Sequence, residues 1–143
     1  MAVVHAVCVS VKKGEKKISK ESIELRPDYG VAGDAHAGSG RQVSLLALDA
    51  LERMRAKLPS LTPGDFAENI NVEGLEELHL AVGNRLTAGD SVLLEVTQIG
   101  KECHSGCAIM RQVGSCVMPK EGIFAKVLTG GTVRPGDRVA LAR

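Results

Sequence analysis

The chain has 143 residues, 44% of them hydrophobic and 24% charged, which indicates one folded domain (residues 1–143) and excludes a disordered or fibrous protein. A formal net charge of +1 argues against a broad nucleic-acid-binding surface. No apolar stretch is long enough to cross a membrane, and residues 1–11 lack the basic start of a secretory signal, so we expect a cytoplasmic protein with neither nucleic-acid nor membrane partners.

The first forty residues predict two strands and a loop. Val3–Val11 is short, apolar and rich in β-branched residues, which favours a strand. The more polar Ile18–Leu25 is expected to pair with it as a hairpin, and Pro27 ends this second strand. Gly30–Arg41 is so rich in glycine that we predict a loop rather than a helix or a long strand.

A short extended segment and one amphipathic helix follow. Gln42–Leu46 is predicted to be extended. Apolar residues then recur at helical spacing, with charged residues on the opposite face, and Pro59 ends the helix. The apolar positions are Leu45, Leu48, Leu51, Met54 and Leu58.

Short strands dominate the rest of the chain. They are predicted at Ile70–Val72, Arg85–Thr87, Ser91–Gln98, Gly122–Leu128 and Arg138–Ala142. Two stretches that start at Gly83 and Gly130, 47 residues apart, echo each other with a Gly-Asp turn before an alternating strand, which predicts two similar hairpin-like units. Aromatic residues make up only 2% of the chain, so Val, Leu and Ile must form the core. Together these features predict a mainly β fold, a β-barrel with one or two short helices.

The glycine-rich loop contains the first candidate functional residues, Asp34, His36 and Arg41. Glycines let backbone N–H groups approach an anion closely, and Arg41 could bind a phosphate through two parallel hydrogen bonds. Alternatively, Asp34 bonds to the local backbone of a turn and His36 is merely exposed. The loop is neither a Walker A motif nor a dinucleotide-binding fingerprint.

Glu68 and Asn69 form a second candidate, between apolar neighbours. They could line a pocket. The alternative, which the residue types favour, is a structural role in which Asn69 occupies a left-handed turn position.

The third candidate is a cysteine cluster, Cys103, Cys107 and Cys116. Without an export signal these cysteines are expected to be reduced. One interpretation is a reactive thiolate, activated by nearby positive groups that include Lys101, His104 and Arg111. A zinc site is a second interpretation, although the spacing lacks the usual C-x2-C pairs. The third is that all three are inert core residues, as we expect for Cys8.

Three segments, GDAHAGSGRQVSLL, GDFAENINVEGL and LTAGDSVLLEVTQIGKEC, together resemble the MOSC domain, named after the C-terminal part of molybdenum-cofactor sulfurases. The resemblance runs from about Gly33 to Asp137 and implies a single MOSC domain with a pyruvate-kinase-β-barrel-like fold. It also implies a cysteine that carries sulfur or ligates molybdenum in the molybdenum cofactor (molybdopterin). Cys103, at the end of the pattern that begins with Thr97-Gln98, takes that position. The residues that match the cofactor-binding positions are Asp34, His36, Arg41, Glu68 and Asn69.

One part of the pattern differs. Gly100 and Glu102 stand where many members of the family carry Arg and Pro, and Lys101, His104 or Arg111 could supply the missing positive charge. We expect no pyridoxal phosphate domain in this chain, and therefore no extraction of sulfur from free cysteine.

Two functional hypotheses follow from the resemblance and the cysteines. In the first, the protein handles molybdenum cofactor or sulfur, acting as a sulfur carrier or transferase that depends on cofactor-biosynthesis proteins or on an acceptor molybdoenzyme. The alternative is a non-catalytic zinc-binding or partner-docking module that uses Cys103, Cys107 and Cys116. A thiol-dependent hydrolase is a more distant option, and the oligomeric state is not indicated.

Overall fold

The computed structural model describes residues 2–12, 17–35, 37–38, 42–100 and 122–142. Within these ranges lie eleven strands, the α-helix α1 (Leu48–Met54) and a 3₁₀ turn (Leu75–Leu78). The strands are β1 (Ala2–Val9), β2 (Ile18–Lys20), β3 (Ile23–Arg26), β4 (Gly30–Val31), β5 (Val43–Ala47), β6 (Ile70–Glu73), β7 (Arg85–Ala88), β8 (Val92–Ile99), β9 (Ile123–Thr129), β10 (Gly131–Val133) and β11 (Arg138–Ala142).

Seven of these strands close into a barrel. Their order is β1, β11, β7, β8, β9, β5 and β6, and β6 then pairs with β1 to complete the ring. Neighbouring strands are antiparallel except β5 and β6, which run parallel. The fold therefore confirms the predicted mainly β barrel with one short helix.

The core consists mostly of Val, Leu and Ile side chains, as the scarcity of aromatic residues requires. Phe66 and Phe124 are both buried in it. Cys8, which was expected to be a core residue, is fully buried in β1. Among the described residues no helix is long and apolar enough to cross a membrane.

The helix is shorter than the apolar spacing predicted. Leu45 belongs to β5 instead, because all five residues of Val43–Ala47 are buried and Leu45 itself pairs on both sides, with Ile70 of β6 and Ile123 of β9. Packing on two strands here outweighs the local helical spacing. Beyond Met54 the chain continues for one more turn, in which the Leu58 N–H donates to the Met54 carbonyl at 3.2 Å.

The predicted strand Ile18–Leu25 is in fact two strands. Its first part, β2, pairs antiparallel with β1 as expected. The second part, β3, leaves the barrel and pairs with β4 and β10 in a separate three-stranded sheet. The break falls at the polar residues Glu21 and Ser22.

The two echoed stretches share a turn but not a topology. In the first, β7 and β8 form a hairpin around Gly89, which has φ +68°. In the second, the turn at Gly136 joins β10 to β11, which lie in different sheets, so the prediction of a second hairpin is wrong. The turn itself is closed by the side chain of Asp137, which accepts a hydrogen bond from the Arg134 N–H at 2.9 Å.

Candidate functional site

Three of the predicted site residues, Asp34, Glu68 and Asn69, lie around the carboxyl end of β1. Asp34 accepts a hydrogen bond from the N–H of Ser10, the residue that follows this strand. Asn69 bonds to the main chain of Cys8 within the strand. Glu68 is close enough to influence the Cys8 thiol electrostatically. The structure thus assembles two motifs that are more than thirty residues apart in sequence.

Asp34 forms a buried ion pair that the sequence analysis did not anticipate. Its Oδ1 lies 2.8 Å from the Lys17 Nζ, and both side chains are fully buried. The same Oδ1 accepts the Ser10 N–H at 3.0 Å, and the Ser10 Oγ accepts a further hydrogen bond from Lys17 at 3.1 Å. The carboxylate is thus bound to groups far away in sequence. Removing one partner of such a pair typically costs about 3–5 kcal/mol, because a buried charge is left uncompensated.

The glycine-rich loop packs on this ion pair through its backbone. The Ala35 N–H donates to the Ser10 carbonyl at 2.8 Å, and the Gly38 N–H donates to the Tyr29 carbonyl at 2.6 Å. The two bonds fasten the loop at its middle and near its end. His36 and Arg41 lie outside the described residues, and their roles stay predictions.

The glycines of this loop serve different purposes. Gly30 has φ +122°, and a Cβ there would lie 2.6 Å from the Gln42 carbonyl oxygen, so close packing requires glycine. Gly33 has φ +81° and is exposed, and no described atom lies within 4 Å of the place a Cβ would take. Gly30 therefore packs the loop on the barrel, whereas none of the described residues fills the space beside Gly33.

Asn69 joins two barrel strands. Its Oδ1 accepts hydrogen bonds from the N–H of Ser44 at 3.0 Å and from the Ser44 Oγ at 3.2 Å, and its Nδ2 donates to the Cys8 carbonyl at 3.1 Å. The residue is fully buried. The left-handed conformation expected of Asn69 belongs instead to Ala67, with φ +66°. These bonds give Asn69 a structural task, and its predicted contact with a cofactor stays a prediction.

Glu68 is a fully buried carboxyl group. Its Oε2 accepts a hydrogen bond from the Asn71 Nδ2 at 2.9 Å, while Glu68 Oε1 and Asn71 Oδ1 have no hydrogen-bond partner among the described residues. Burial raises the pKa of Glu68, and the hydrogen bond from Asn71 opposes that rise only in part. The environment therefore favours the neutral acid.

At Gly64, the turn before Glu68 packs closely against Lys17 and Cys8. The Gly64 carbonyl accepts the Lys17 N–H at 2.8 Å. With φ +92°, a Cβ on Gly64 would collide with the Lys17 carbonyl oxygen and lie 3.1 Å from the Cys8 Sγ. The backbone of Lys17 thus bonds to the turn before Glu68, and its side chain bonds to Asp34 in the glycine-rich loop.

Cys103, Cys107 and Cys116 lie outside the described residues, as do Lys101, His104 and Arg111. The flanks of this segment are joined by a hydrogen bond from the Gly100 N–H to the Gly122 carbonyl at 2.7 Å. In the described part of the chain, no group of three or more metal-binding side chains comes together. The choice between a reactive, a zinc-binding and an inert cluster is therefore still a matter of prediction.

The pairing of β5 with β9 shows where the cysteine segment and the glycine-rich loop join the barrel. Ile123, where β9 begins after the cysteine segment, pairs with Leu45 in β5. The glycine-rich loop enters the same strand before Val43, so its end at Gln42 lies three residues from Leu45, about 10 Å along a strand. Because β5 and β9 run antiparallel, the glycine-rich loop enters β5 at its amino end, whereas the cysteine segment leads into β9 toward the carboxyl end of β5, so the two segments join this strand pair from opposite ends.

The sequence analysis missed Lys17, Ser10 and Asn71. Lys17 is the last residue of the charged run KKGEKK (residues 12–17) and looks like a solvated side chain, because lysine is almost never fully buried unless it is paired. No local pattern marks its partner, which lies 17 residues further along the chain.

Comparison with known proteins agrees with the fold and the motifs. The family model of the MOSC domain matches residues 32–140. Among solved structures, the YuaD protein from Bacillus subtilis has a TM-score of 0.78 at 19% identity, covering 97% of this chain and 94% of that one. YiiM from Geobacillus stearothermophilus has a TM-score of 0.76 at 20% identity, with 100% and 76% covered. YiiM from Escherichia coli has 0.72 at 18%, with 100% and 70% covered.

At these identities the likeness to solved structures shows a shared fold alone, and no curated protein sequence gives a significant match. The family model goes further, because its span includes most of the glycine-rich loop, the Glu68-Asn69 pair and the strands β5 to β10. Since that span is most of the chain, the protein belongs to the MOSC domain family.

Proposed function

We propose that this protein binds the molybdenum cofactor, or carries a sulfur atom destined for a metal–sulfur centre, with Cys103 as the thiol that does so. The observation that carries the proposal is the family match across residues 32–140, which contains most of the glycine-rich loop and Cys103. A thiolate suits both tasks, because it is a soft metal ligand and a good sulfur nucleophile.

The described residues are compatible with an anionic cofactor at the glycine-rich loop. No described atom fills the space beside Gly33, and Lys17 balances the charge of Asp34, so the loop does not present a bare carboxylate to a phosphate group. When bound, the cofactor would supply molybdenum as a centre for a thiolate ligand. In the proposal Asp34 holds the loop, while His36, Arg41, Lys101 and Arg111 provide positive charge for the phosphate.

For sulfur carriage, the Cys103 thiolate attacks the terminal sulfur of a persulfide on a partner protein. The bond between the two partner sulfurs breaks, the partner leaves as a thiolate, and Cys103 keeps the sulfur with its proton as a new persulfide. The proposed partners are cofactor-biosynthesis proteins or an acceptor molybdoenzyme in the cytoplasm. This exchange needs no external oxidant, because the incoming sulfur is already at the persulfide oxidation level.

The test compares wild type with Cys103→Ser and with the matched control Cys8→Ala. Cys8 is buried, and burial raises the pKa of its thiol to about 11, so it should take no part in the chemistry. We expect wild type and Cys8→Ala to bind molybdenum cofactor in a titration, or to show one extra sulfur atom in native mass spectrometry. Cys103→Ser should do neither. If Cys103→Ser matches wild type in both measurements, the assignment of Cys103 is wrong.

The same samples test the zinc-binding alternative. Stoichiometric zinc in protein purified without chelator, lost together with the fold in Cys107→Ser, would support a structural metal module and contradict the proposal. Protein free of zinc and still folded contradicts the alternative.

A further inference from the structure

We infer that Glu68 keeps its acid proton in the folded protein and shares this proton with the Oδ1 of Asn71, and that the pair acts as a pH-sensitive latch on the turn before Glu68. We call this turn, residues 62–67, the Gly64 turn. The inference goes beyond the proposed function, since it depends neither on Cys103 nor on a bound cofactor.

Two buried oxygen atoms, Glu68 Oε1 and Asn71 Oδ1, lack a hydrogen-bond partner among the described residues. Both residues are fully buried, and their side chains are already joined by the hydrogen bond from Asn71 Nδ2 to Glu68 Oε2 at 2.9 Å. The unpaired atoms are both acceptors, so neither can satisfy the other while Glu68 is a carboxylate. One proton on Oε1 removes both deficits, because a neutral carboxylic acid donates through its O–H. Acid and amide then each donate once and accept once.

The surroundings of Glu68 favour the protonated form. Burial is the main cause that raises its pKa, and the nearby carboxylate of Asp65 raises it further. The hydrogen bond from Asn71 and the backbone N–H groups of Glu68 and Gly64 act in the opposite direction, but they are weaker than the effect of burial. A proton therefore suits this site better than a bare negative charge.

The neighbouring elements give the carboxyl group little compensating charge. The Cys8 thiol in β1 is within electrostatic reach, but burial raises its pKa to about 11 and keeps it neutral. The ammonium group of Lys17 is bonded to Asp34 at 2.8 Å. On β1, β6 and the helix α1, which packs on β5 and β6, the other charged or titratable side chains are exposed. These are His5, Asp49, Glu52, Arg53 and Glu73.

The shared proton ties the Gly64 turn to the barrel, because Glu68 directly follows the turn and Asn71 lies in β6. The Gly64 carbonyl accepts the Lys17 N–H at 2.8 Å, and the Lys17 side chain bonds to Asp34 in the glycine-rich loop. As the pH rises, the Oε1–H bond breaks and the proton passes to solvent. Both oxygen atoms then lack a donor beside a buried charge, which is costly. The turn should open and release the Lys17 N–H.

Hydrogen exchange of the Lys17 N–H measures this opening, in wild type and in Glu68→Gln over a series of pH values. In Glu68→Gln the new amide donates to Asn71 Oδ1 as the acid does, but it does not titrate. At a given pH the intrinsic exchange rate is the same in both proteins, so their ratio reports the opening equilibrium alone. Opening returns the Glu68 carboxyl group toward its ordinary pKa of 4.5, while the closed form keeps the proton. Above pH 4.5 the ratio of wild type to variant should therefore rise about tenfold per pH unit, until the pH reaches the raised pKa.

The control is the Asn84 N–H, which donates to the Ala81 carbonyl at 3.0 Å in an exposed turn, and its ratio should stay at one. A constant ratio at Lys17 would overturn the latch. An opening free energy at Lys17 equal to the free energy of unfolding in urea at the same pH would also overturn it, because the turn would then be released only by global unfolding.

The protonation state of Glu68 is measured on wild type by carbon-13 NMR of the glutamate carboxyl groups, which requires no variant. We expect the Glu68 signal to stay at the position of the neutral acid well above pH 4.5. Ionisation of Glu68 in the folded protein at or below pH 4.5 contradicts the inference, since a water molecule or a cation would then have to satisfy the two oxygen atoms.

The sharing of the proton is tested by the double variant Glu68→Gln/Asn71→Asp, which exchanges acid and amide without a change of shape. If one proton joins the two side chains, the acid at position 71 restores the pair, and the pH-dependent opening that Glu68→Gln lacks should return. A double variant whose exchange ratio to Glu68→Gln stays constant with pH contradicts the sharing.

Discussion

Asn69 offers a direct test of how the candidate site is built. In Asn69→Ala the Ser44 N–H and the Cys8 carbonyl lose the partners that Asn69 supplies at 3.0 and 3.1 Å. A buried backbone group left without a partner costs about 1–3 kcal/mol, so two such groups should lower the free energy of unfolding by about 2–6 kcal/mol. Against a total stability of about 5–15 kcal/mol for a typical domain, this is a severe loss.

The assay is equilibrium unfolding in urea, with Asn84→Ala as the matched control. Asn84 also accepts a backbone hydrogen bond, from the Ala81 N–H at 2.8 Å, but that bond is exposed. Water can replace it, so we expect Asn84→Ala to cost less than about 1 kcal/mol. If Asn69→Ala is no more destabilising than Asn84→Ala, the structural task assigned to Asn69 is refuted.

Three further outcomes are expected from the same region. Burial raises the folded-state pKa of Glu68 above its ordinary value of 4.5. The neutral form of Glu68 therefore contributes its full stabilisation below pH 4.5, and this contribution is lost as the pH rises through the raised pKa. Glu68→Gln should therefore gain stability relative to wild type in urea unfolding as the pH rises above 4.5, and a constant difference would contradict this. Gly64→Ala should cost more than the matched Gly83→Ala, because both glycines have nearly the same φ, +92° and +93°, but only Gly64 faces atoms that a Cβ would strike. Backbone strain alone predicts about 1–2 kcal/mol for Gly83→Ala in thermal unfolding, and equal losses would show that the contacts at Gly64 do not matter. Iodoacetamide at neutral pH should modify Cys8 only after unfolding, since burial raises its pKa to about 11; labelling of the native protein at this site, seen by peptide mass spectrometry, would count against that environment.

The strands were largely predictable, because alternation and β-branched residues mark them locally. The predicted positions of β1, β5, β8, β9 and β11 lie within two residues of those observed. What could not be predicted is the sheet that each strand joins. Ile18–Leu25 looks like one strand, yet its second half pairs with β4 and β10, and only the rest of the fold decides that.

For the candidate site, too, the sequence predicted the residues but not the partners that they contact. Motif likeness singled out Asp34, Glu68 and Asn69, and the structure brings all three to the end of β1. Their bonds could not be predicted, because Asn69 reaches Cys8 across 61 residues and Asp34 reaches Ser10 across 24. Partners so far apart leave no periodic signal, and a buried lysine resembles any surface lysine in the sequence.

The pairing of β1 with β11 has a consequence for how the chain folds. Ala2 lies opposite Val139, so the barrel closes only when residues from the two ends of the described chain meet. The β7–β8 hairpin can form early, because its strands are adjacent, whereas closure must wait for almost the entire chain to leave the ribosome. Until then β1 and β7 expose unpaired edges, which are the surfaces that promote association between chains. A chain truncated before Arg138 should therefore aggregate where the full chain does not, as light scattering during refolding would show.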